Sequence, residues 1–353
     1  MVGEAQPDNA AADDNDGGVG GEGGHNEKSL GANASRRKRN RATLAPFAME
    51  GSRPMDLPAL SLTAVPGRRL ATLELAREIE RRGFAGMWVP SPFSGLGLCH
   101  ALAHVTERAV FATSIAPIYF QQAEEFAQAA AFIHEVSGGR FRFGIGVSHQ
   151  PTHERMGITP GKPLGDIRAF VDEIRNVPRT GGLPPVVLAA MRPRMIALAG
   201  EIADGIVFAN AARSHIPASL EALPADKRDD AGFEIACMTP TCVSDDLEAA
   251  KAVNRKTLTR YAQLPYYRNY WKDAGYREEM EAVERAMPEG DAAVAACLSD
   301  RWLADVTLFG PPARIREGVE ELRAAGVRTP VLVPSSAAGG QMKAFEEVMA
   351  VFA

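Results

Sequence analysis

Short apolar runs alternate with amphipathic stretches from Leu57 to the carboxyl end, and this rhythm constrains the fold more than any single motif in the chain. Eight runs read as strands: Ala59–Val65, Ala85–Val89, Val110–Ala116, Phe141–Val147, Pro185–Ala190, Gly205–Ala209, Phe233–Val243 and Pro330–Pro334. Nearly all are separated by segments of helical periodicity. In the first of these, Leu70, Leu73, Leu75, Ala76 and Ile79 make an apolar face, Arg77, Glu78, Glu80, Arg81 and Arg82 a wet one, and Gly83 a stop. Helices are also expected over Leu98–Arg108, Ala123–Val136, Ile167–Asn176, Arg194–Ile202, Asp245–Leu264, Ala313–Ala325 and Gln341–Phe352. Thr152–Gly165 reads as irregular, and Pro265–Asp305 as an aromatic-rich helical insertion. Strands joined by helices imply right-handed crossovers, and eight of them an α/β fold closed into a (β/α)8 TIM barrel with inserted segments; an open doubly wound sheet is the alternative.

The stretch GGRFRFGIGVSHQP, Gly138–Pro151, is the most informative strand. Phe141, Phe143, Ile145 and Val147 alternate with Arg142, Gly144 and Gly146, and Gly138-Gly139 forms the preceding turn. Glycines inside a strand mark either the close approach of a ligand or tight packing at a bulge, and both readings stand. The pair Gly144 and Gly146 is not a dinucleotide fingerprint, because the third small residue is replaced by His149 and no helix follows directly.

A net charge of -5 and a pI near 5.9 give no global case for nucleic acid or an anionic membrane surface. No apolar run reaches the roughly 20 residues of a membrane span. Cys99, Cys237, Cys242 and Cys297 lack paired spacing, which fits a reducing cytoplasm without disulfides or a zinc site. Residues 1–53 are different material, rich in Gly, Asp, Asn and Ala with a basic SRRKRNR cluster at Ser35–Arg41, and are expected to form a disordered tail ahead of a domain spanning 54–353. Met49 and Met55 are alternative starts that would shorten it.

Ligands of such a barrel bind at the carboxyl ends of its strands. Those ends bring Pro90–Phe93, Ser114–Tyr119, Gly146–His149, Ala190–Arg194, Asn210 and Thr239–Thr241 to the mouth. They hold no carboxylate pair for glycoside hydrolysis, no Schiff-base lysine and no Walker loop. His149, His153 and Glu154 have the spacing of a helical metal site, but Pro151 argues against a helix through His149, and no metal is assigned. His149 alone is either an acid/base or cofactor donor, or a satisfied strand-end histidine. In MRPRM, Met191–Met195, Pro193 suits the first turn of a helix flanked by Arg192 and Arg194, which fits a phosphate; two solvent-facing arginines are the plain alternative. Five of the six tyrosines fall in Tyr261–Tyr276 with Trp271. That cluster is a cover over the substrate pocket, a dimer contact or a satellite core, and the first is preferred.

The blocks ATLELAREIERRGFAGMWVP, ATSIAPIYFQQAEEFAQAAAFIHEVSGGRFRFGIGVSHQP, PPVVLAAMRPRMIALAGEIADGIVFAN and GPPARIREGVEELRAAGV, in this order, resemble the luciferase-like monooxygenase superfamily, in particular its coenzyme F420-dependent branch. The resemblance spans Leu57–Ala353 and implies a TIM barrel, often a homodimer, that transfers a hydride between a deazaflavin and a small organic substrate. It implies a bulge with a non-proline cis peptide at Ser114-Ile115, two residues that the cofactor ring would contact. Cofactor contacts are implied at Gly146, Val147, Ser148 and Ala190, and the phosphate at Arg192, Pro193, Arg194 and Met195. His149 is the candidate catalytic donor. Pro92, Phe93, Tyr119, Tyr267 and Trp271 are candidates for the substrate pocket, the last two from an inserted lid at 265–305. The chain differs from many deazaflavin-dependent members in having Ser91-Pro92, Gln121-Gln122-Ala123 and Arg192-Pro193-Arg194 where those carry an acidic residue with histidine, Arg-His-Pro and Gly-Pro-Lys. An FMN-dependent monooxygenase, a non-catalytic flavin-binding protein and, last, a metal-dependent hydrolase are the alternatives.

Overall fold

The computed structural model describes residues 57–91 and 95–353; the expected tail at 1–53 and two expected pocket residues, Pro92 and Phe93, lie outside the described residues. Among the described residues ten strands are formed: β1 Ala59–Ser61, β2 Gly86–Val89, β3 Val110–Thr113, β4 Ala116–Pro117, β5 Phe141–Gly146, β6 Val186–Ala189, β7 Gly205–Ala209, β8 Glu234–Val243, β9 Leu308–Gly310 and β10 Thr329–Ser335. Parallel pairing runs β1, β2, β3, β5, β6, β7, β8, β10 and returns to β1, with Val331 opposite Ala59 at the closing seam and Val331 opposite Met238 on its other side. Because β10 is bonded on both edges, the sheet is closed, and the fold is a (β/α)8 barrel rather than an open sheet.

The alternation of side chains sorts the barrel into an interior column and an outer shell against the helices. Ala59, Trp88, Ala112, Val187, Val207, Ala236, Met238 and Val331 form the column. Trp88, 2% exposed, is the one large ring among mostly small partners, so the volume left by three alanines is filled from β2. On β5 the inward positions are Arg142, Gly144 and Gly146. A Cβ on Gly144 would lie 1.8 Å from the Thr113 carbonyl oxygen, and one on Gly146 would lie 3.0 Å from Ala189 Cβ and 3.2 Å from Ile115 Cγ1. The two glycines therefore serve close packing of β5 against β3 and the residues after it. Thr113 Oγ1 adds a hydrogen bond to the Gly144 carbonyl at 2.7 Å.

Three local features differ from the sequence reading. The strand expected over Val110–Ala116 is divided into β3 and β4; the cis peptide between Ser114 and Ile115 that divides them is the one the resemblance implied. The stretch expected to be irregular contains a helix, Gln150–Met156, because Pro151 falls in its first turn, where no N–H is needed; Gly157, at φ 65°, ends it. The next helix starts at Pro163 rather than Ile167.

A further difference concerns β8, which at ten residues outruns its neighbours. Glu234–Met238 pair with β7, Ala236–Cys242 with β10, and the overhanging Thr241–Val243 with β9, which the apolar rhythm did not reveal. Between β8 and β9 lie helices Leu247–Ala262, Pro265–Asp273, Arg277–Ala286, Asp291–Ala296 and Asp300–Val306. Both ends of this insertion are thus tied to the carboxyl end of one strand. Its buried side chains Tyr267, Tyr270, Trp271, Met280, Val283 and Trp302 join the continuous core of the barrel's outer shell, with Trp271 and Trp302 edge to face at 4.8 Å. Among the described residues no helix is long and apolar enough to cross a membrane. Trp88→Ala should empty the interior column and lower unfolding free energy by about 3–5 kcal/mol, read from urea unfolding curves.

Candidate active site at the barrel mouth

The carboxyl end of the column is left partly open. Ile115, Ala189, Ala209 and Val333 pack on it from above and are only partly buried, so the floor of the mouth is apolar and uncharged. Beside it, Ser114 Oγ lies 2.6 Å from Met238 Sδ, and the Ala209 N–H points at Met191 Sδ at 3.4 Å. The same alternation decides which strand-end residues reach this floor. Ala189 faces in, while Ala190, 1% exposed, belongs to the outer shell. Met238 faces in, while Thr239 and Thr241, expected at the mouth, are buried, with the Thr239 hydroxyl 3.6 Å from Cys237 Sγ and Thr241 bonded to the Thr239 carbonyl. Ala189, Ala209, Met238 and Val333 were absent from the expected cofactor contacts, although counting by twos along each strand would have found them.

Above the floor, β5 ends in a turn at Ser148, which takes φ 64°, and His149 caps the helix Gln150–Met156 through its backbone. Val147 packs on the core, and its carbonyl receives His153 Nε2 at 2.6 Å. The His153 ring also stands edge-on to Tyr119 at 5.4 Å, and Tyr119 donates to Asp166 Oδ2 at 2.6 Å. The two histidines therefore face different partners: His153 turns inward to Val147 and Tyr119, and His149 turns to the insertion, with Tyr267 at 5.7 Å and Tyr261 at 6.5 Å. Burial, then the nearby His153, lowers the His149 pKa below its ordinary 6.5. At neutral pH the ring is uncharged and can donate from one nitrogen and accept at the other.

The insertion is pinned over this side of the mouth. Trp271 Nε1 donates to the Asn210 carbonyl at 3.0 Å, and Asn210, at φ 57°, turns that carbonyl out of the β7 ladder. The aromatic segment is thus packed into the continuous core at this side of the rim: Trp271 is fully buried and Tyr267 is 7% exposed. Tyr261, which sequence reading did not place in the pocket, joins them at 5.1 Å from Tyr267.

At the helix Pro193–Ile202 the expected phosphate position is only half built by backbone. Pro193 has no N–H, and the N–H groups of Met195 and Ile196 both point to the Arg192 carbonyl, leaving Arg194 to offer a free donor in the first turn. Arg192 reaches Asp273 of the insertion at 3.3 Å with both side chains about half exposed. Arg194 is exposed and lines an open groove of about 360 Å³ with Leu164, Arg168 and Glu201. Any anion here would rely on the arginine charges more than on the helix end.

The lowered His149 pKa carries a pH dependence. Below about 6.5 the unfolded chain binds a proton that the folded ring resists, so stability should fall as pH drops from 6.5 through the lowered folded value. His134, also lowered by burial, acts in the same direction. The contribution of His149 is therefore the difference between wild type and His149→Asn, whose urea midpoint should decline less between pH 7 and pH 5.

Comparison with known proteins places the chain in a family. The chain is 30% identical over 233 residues to the 5,10-methylenetetrahydromethanopterin reductase of Archaeoglobus fulgidus, covering 57% of this chain and 69% of the relative. It is 26% identical over 280 residues, 66% of this chain and 81% of the relative, to a Mycobacterium tuberculosis protein provisionally named a coenzyme F420-dependent oxidoreductase. The fold superposes on the coenzyme F420-dependent tetrahydromethanopterin reductase of Methanopyrus kandleri with a TM-score of 0.67 at 18% identity, covering 83% of this chain and 97% of the other. Residues 61–329 match the model of the luciferase-like monooxygenase family, and the chain belongs to that family.

Proposed function

We propose that this family member is an oxidoreductase that moves a hydride between coenzyme F420 and a small organic substrate at the barrel mouth. The observation that carries the reading is the apolar floor of Ile115, Ala189, Ala209 and Val333 with a neutral imidazole at its rim, which fits a flat ring lying on the column. The relatives named as an F420-dependent oxidoreductase and a methylenetetrahydromethanopterin reductase support the deazaflavin over FMN.

When bound, the deazaflavin supplies a ring carbon that gives or takes a hydride. The chain's own contribution is to bind, orient and exclude water. The floor side chains present no hydrogen-bonding group to compete for the ring, and the backbone of Gly146, Val147 and Ser148 would border it. Arg194, with Arg192, would meet the cofactor phosphate. His149 would hold or supply a proton at a ring nitrogen, facing the substrate side under Tyr267 and Trp271, with Tyr119 supporting the opposite loop. The insertion covers that side and keeps water out.

We also assign the active form as a homodimer in the cytoplasm, without nucleic acid or membrane as partner. Phe132 and Val136, one helical turn apart on Ala123–Val136, are 52% and 38% exposed, and Phe132 meets His100 of the neighbouring helix edge to face.

Absorbance and fluorescence titration of the purified protein tests the cofactor. Saturable binding of F420 is expected; tight FMN binding with no response to F420 would replace the reading with a flavin-dependent monooxygenase. Arg194→Ala should weaken F420 by about 1–3 kcal/mol. Light scattering should give twice the 37.8 kDa chain mass for wild type and a single chain for Phe132→Glu.

A further inference from the structure

Three polar rings meet where the end of β5 abuts the insertion. His149, Tyr261 and Tyr267 have mutual centroid distances of 5.1 to 6.5 Å. Tyr267 is more than nine-tenths buried, yet its hydroxyl makes no hydrogen bond with any described residue, and the same holds for the Tyr261 hydroxyl and the His149 ring nitrogens. Other half-buried phenols are satisfied: Tyr119 donates to Asp166 at 2.6 Å and Tyr276 to Asp305 at 2.8 Å. The three tips are bonded to no described residue, and Tyr261 and His149 are only half-buried, so the cluster presents donors and an acceptor at the rim to an outside partner.

We propose that Tyr267, supported by Tyr261 and His149, binds the carbonyl oxygen of an uncharged substrate whose apolar body lies against the aromatic rings. Its place beside the floor rests on the reading of the mouth as an oxidoreductase site. The chemistry of the partner follows from that of the rings. Burial raises both phenols above their ordinary range and lowers the imidazole, so the phenols keep their protons and act as donors near neutral pH. None of the three is bonded to a cation, and the Arg260 charge is felt at Tyr261 alone of them, so a carboxylate held at Tyr267 would lose its hydration with little opposite charge to replace it. A carbonyl oxygen needs only a donor, and the rings supply apolar walls around it.

Cyclohexanone and methylenecyclohexane have the same shape and differ in the acceptor oxygen; cyclohexanecarboxylate adds the charge. Binding of each to the cofactor-free protein is read from Trp271 fluorescence and from saturation-transfer NMR. Cyclohexanone should bind about fivefold or more tightly than methylenecyclohexane, and cyclohexanecarboxylate should bind least. Tyr267→Phe keeps the ring and should erase the preference for the ketone, while Tyr261→Phe should reduce it. Equal binding of the ketone and the hydrocarbon, a preference unchanged in Tyr267→Phe, preferred binding of the carboxylate, or no binding of any probe at millimolar concentration would each overturn the proposal. The F420 titration is read separately. Cofactor binding without ketone preference removes this inference alone, and ketone preference without cofactor binding removes the cofactor reading alone.

Discussion

Closure of the parallel ladder through β10 is the constraint on which everything else in this molecule depends. A strand bonded on both edges to β8 and β1 fixes the register of the whole ring, with Val331 level with Ala59 and with Met238. Because side chains alternate, that register decides at once which residues fill the column and which meet the helices; a slip of one residue would turn Met238 and Val333 away from the interior. Closure also gathers every strand's carboxyl end on one rim, so Ile115, His149, Arg192 and Asn210, far apart in the chain, become neighbours.

The rim divides its work between apolar and charged groups. Its floor is uncharged, and the charges stand around it: Arg192 with Asp273, and Arg268 and Lys272 with Glu284. The partly exposed pairs are worth little each. The insertion is instead held by its aromatic core and by Trp271 on the Asn210 carbonyl, a bond that needs the left-handed turn at Asn210. Such an arrangement places an aromatic wall beside His149, where burial, then the nearby His153, sets the state of that ring.

The glycines of β5 illustrate how one sequence signal can have two physical causes. Close approach of a ligand and close approach of another backbone both demand the absence of Cβ. At Gly144 the approaching atom is the Thr113 carbonyl oxygen, and at Gly146 the neighbours are Ala189 and Ile115. Their effect on the site is indirect: they let β5 lie against β3 and β4, and so bring Ile115 onto the floor.

The sequence by itself determined the barrel. Eight apolar runs parted by amphipathic helices have one economical closed solution, and the eight ring strands stand where those runs predict. It also pointed to the rim, since ligand contacts in such a barrel follow the strands. Only the tertiary structure decided which side chains meet there. Thr239, Thr241 and Ala190 lie at the right ends but on the wrong face, and Ala209, Met238 and Val333 on the right one, because facing depends on register across the seam. The short β9 was not legible because three residues carry no period; it exists because β8 overhangs its neighbours. Likewise, no spacing in the chain joins Tyr261 and Tyr267 to His149 more than a hundred residues away. That contact arises from the insertion folding back over the mouth, which local pattern cannot encode.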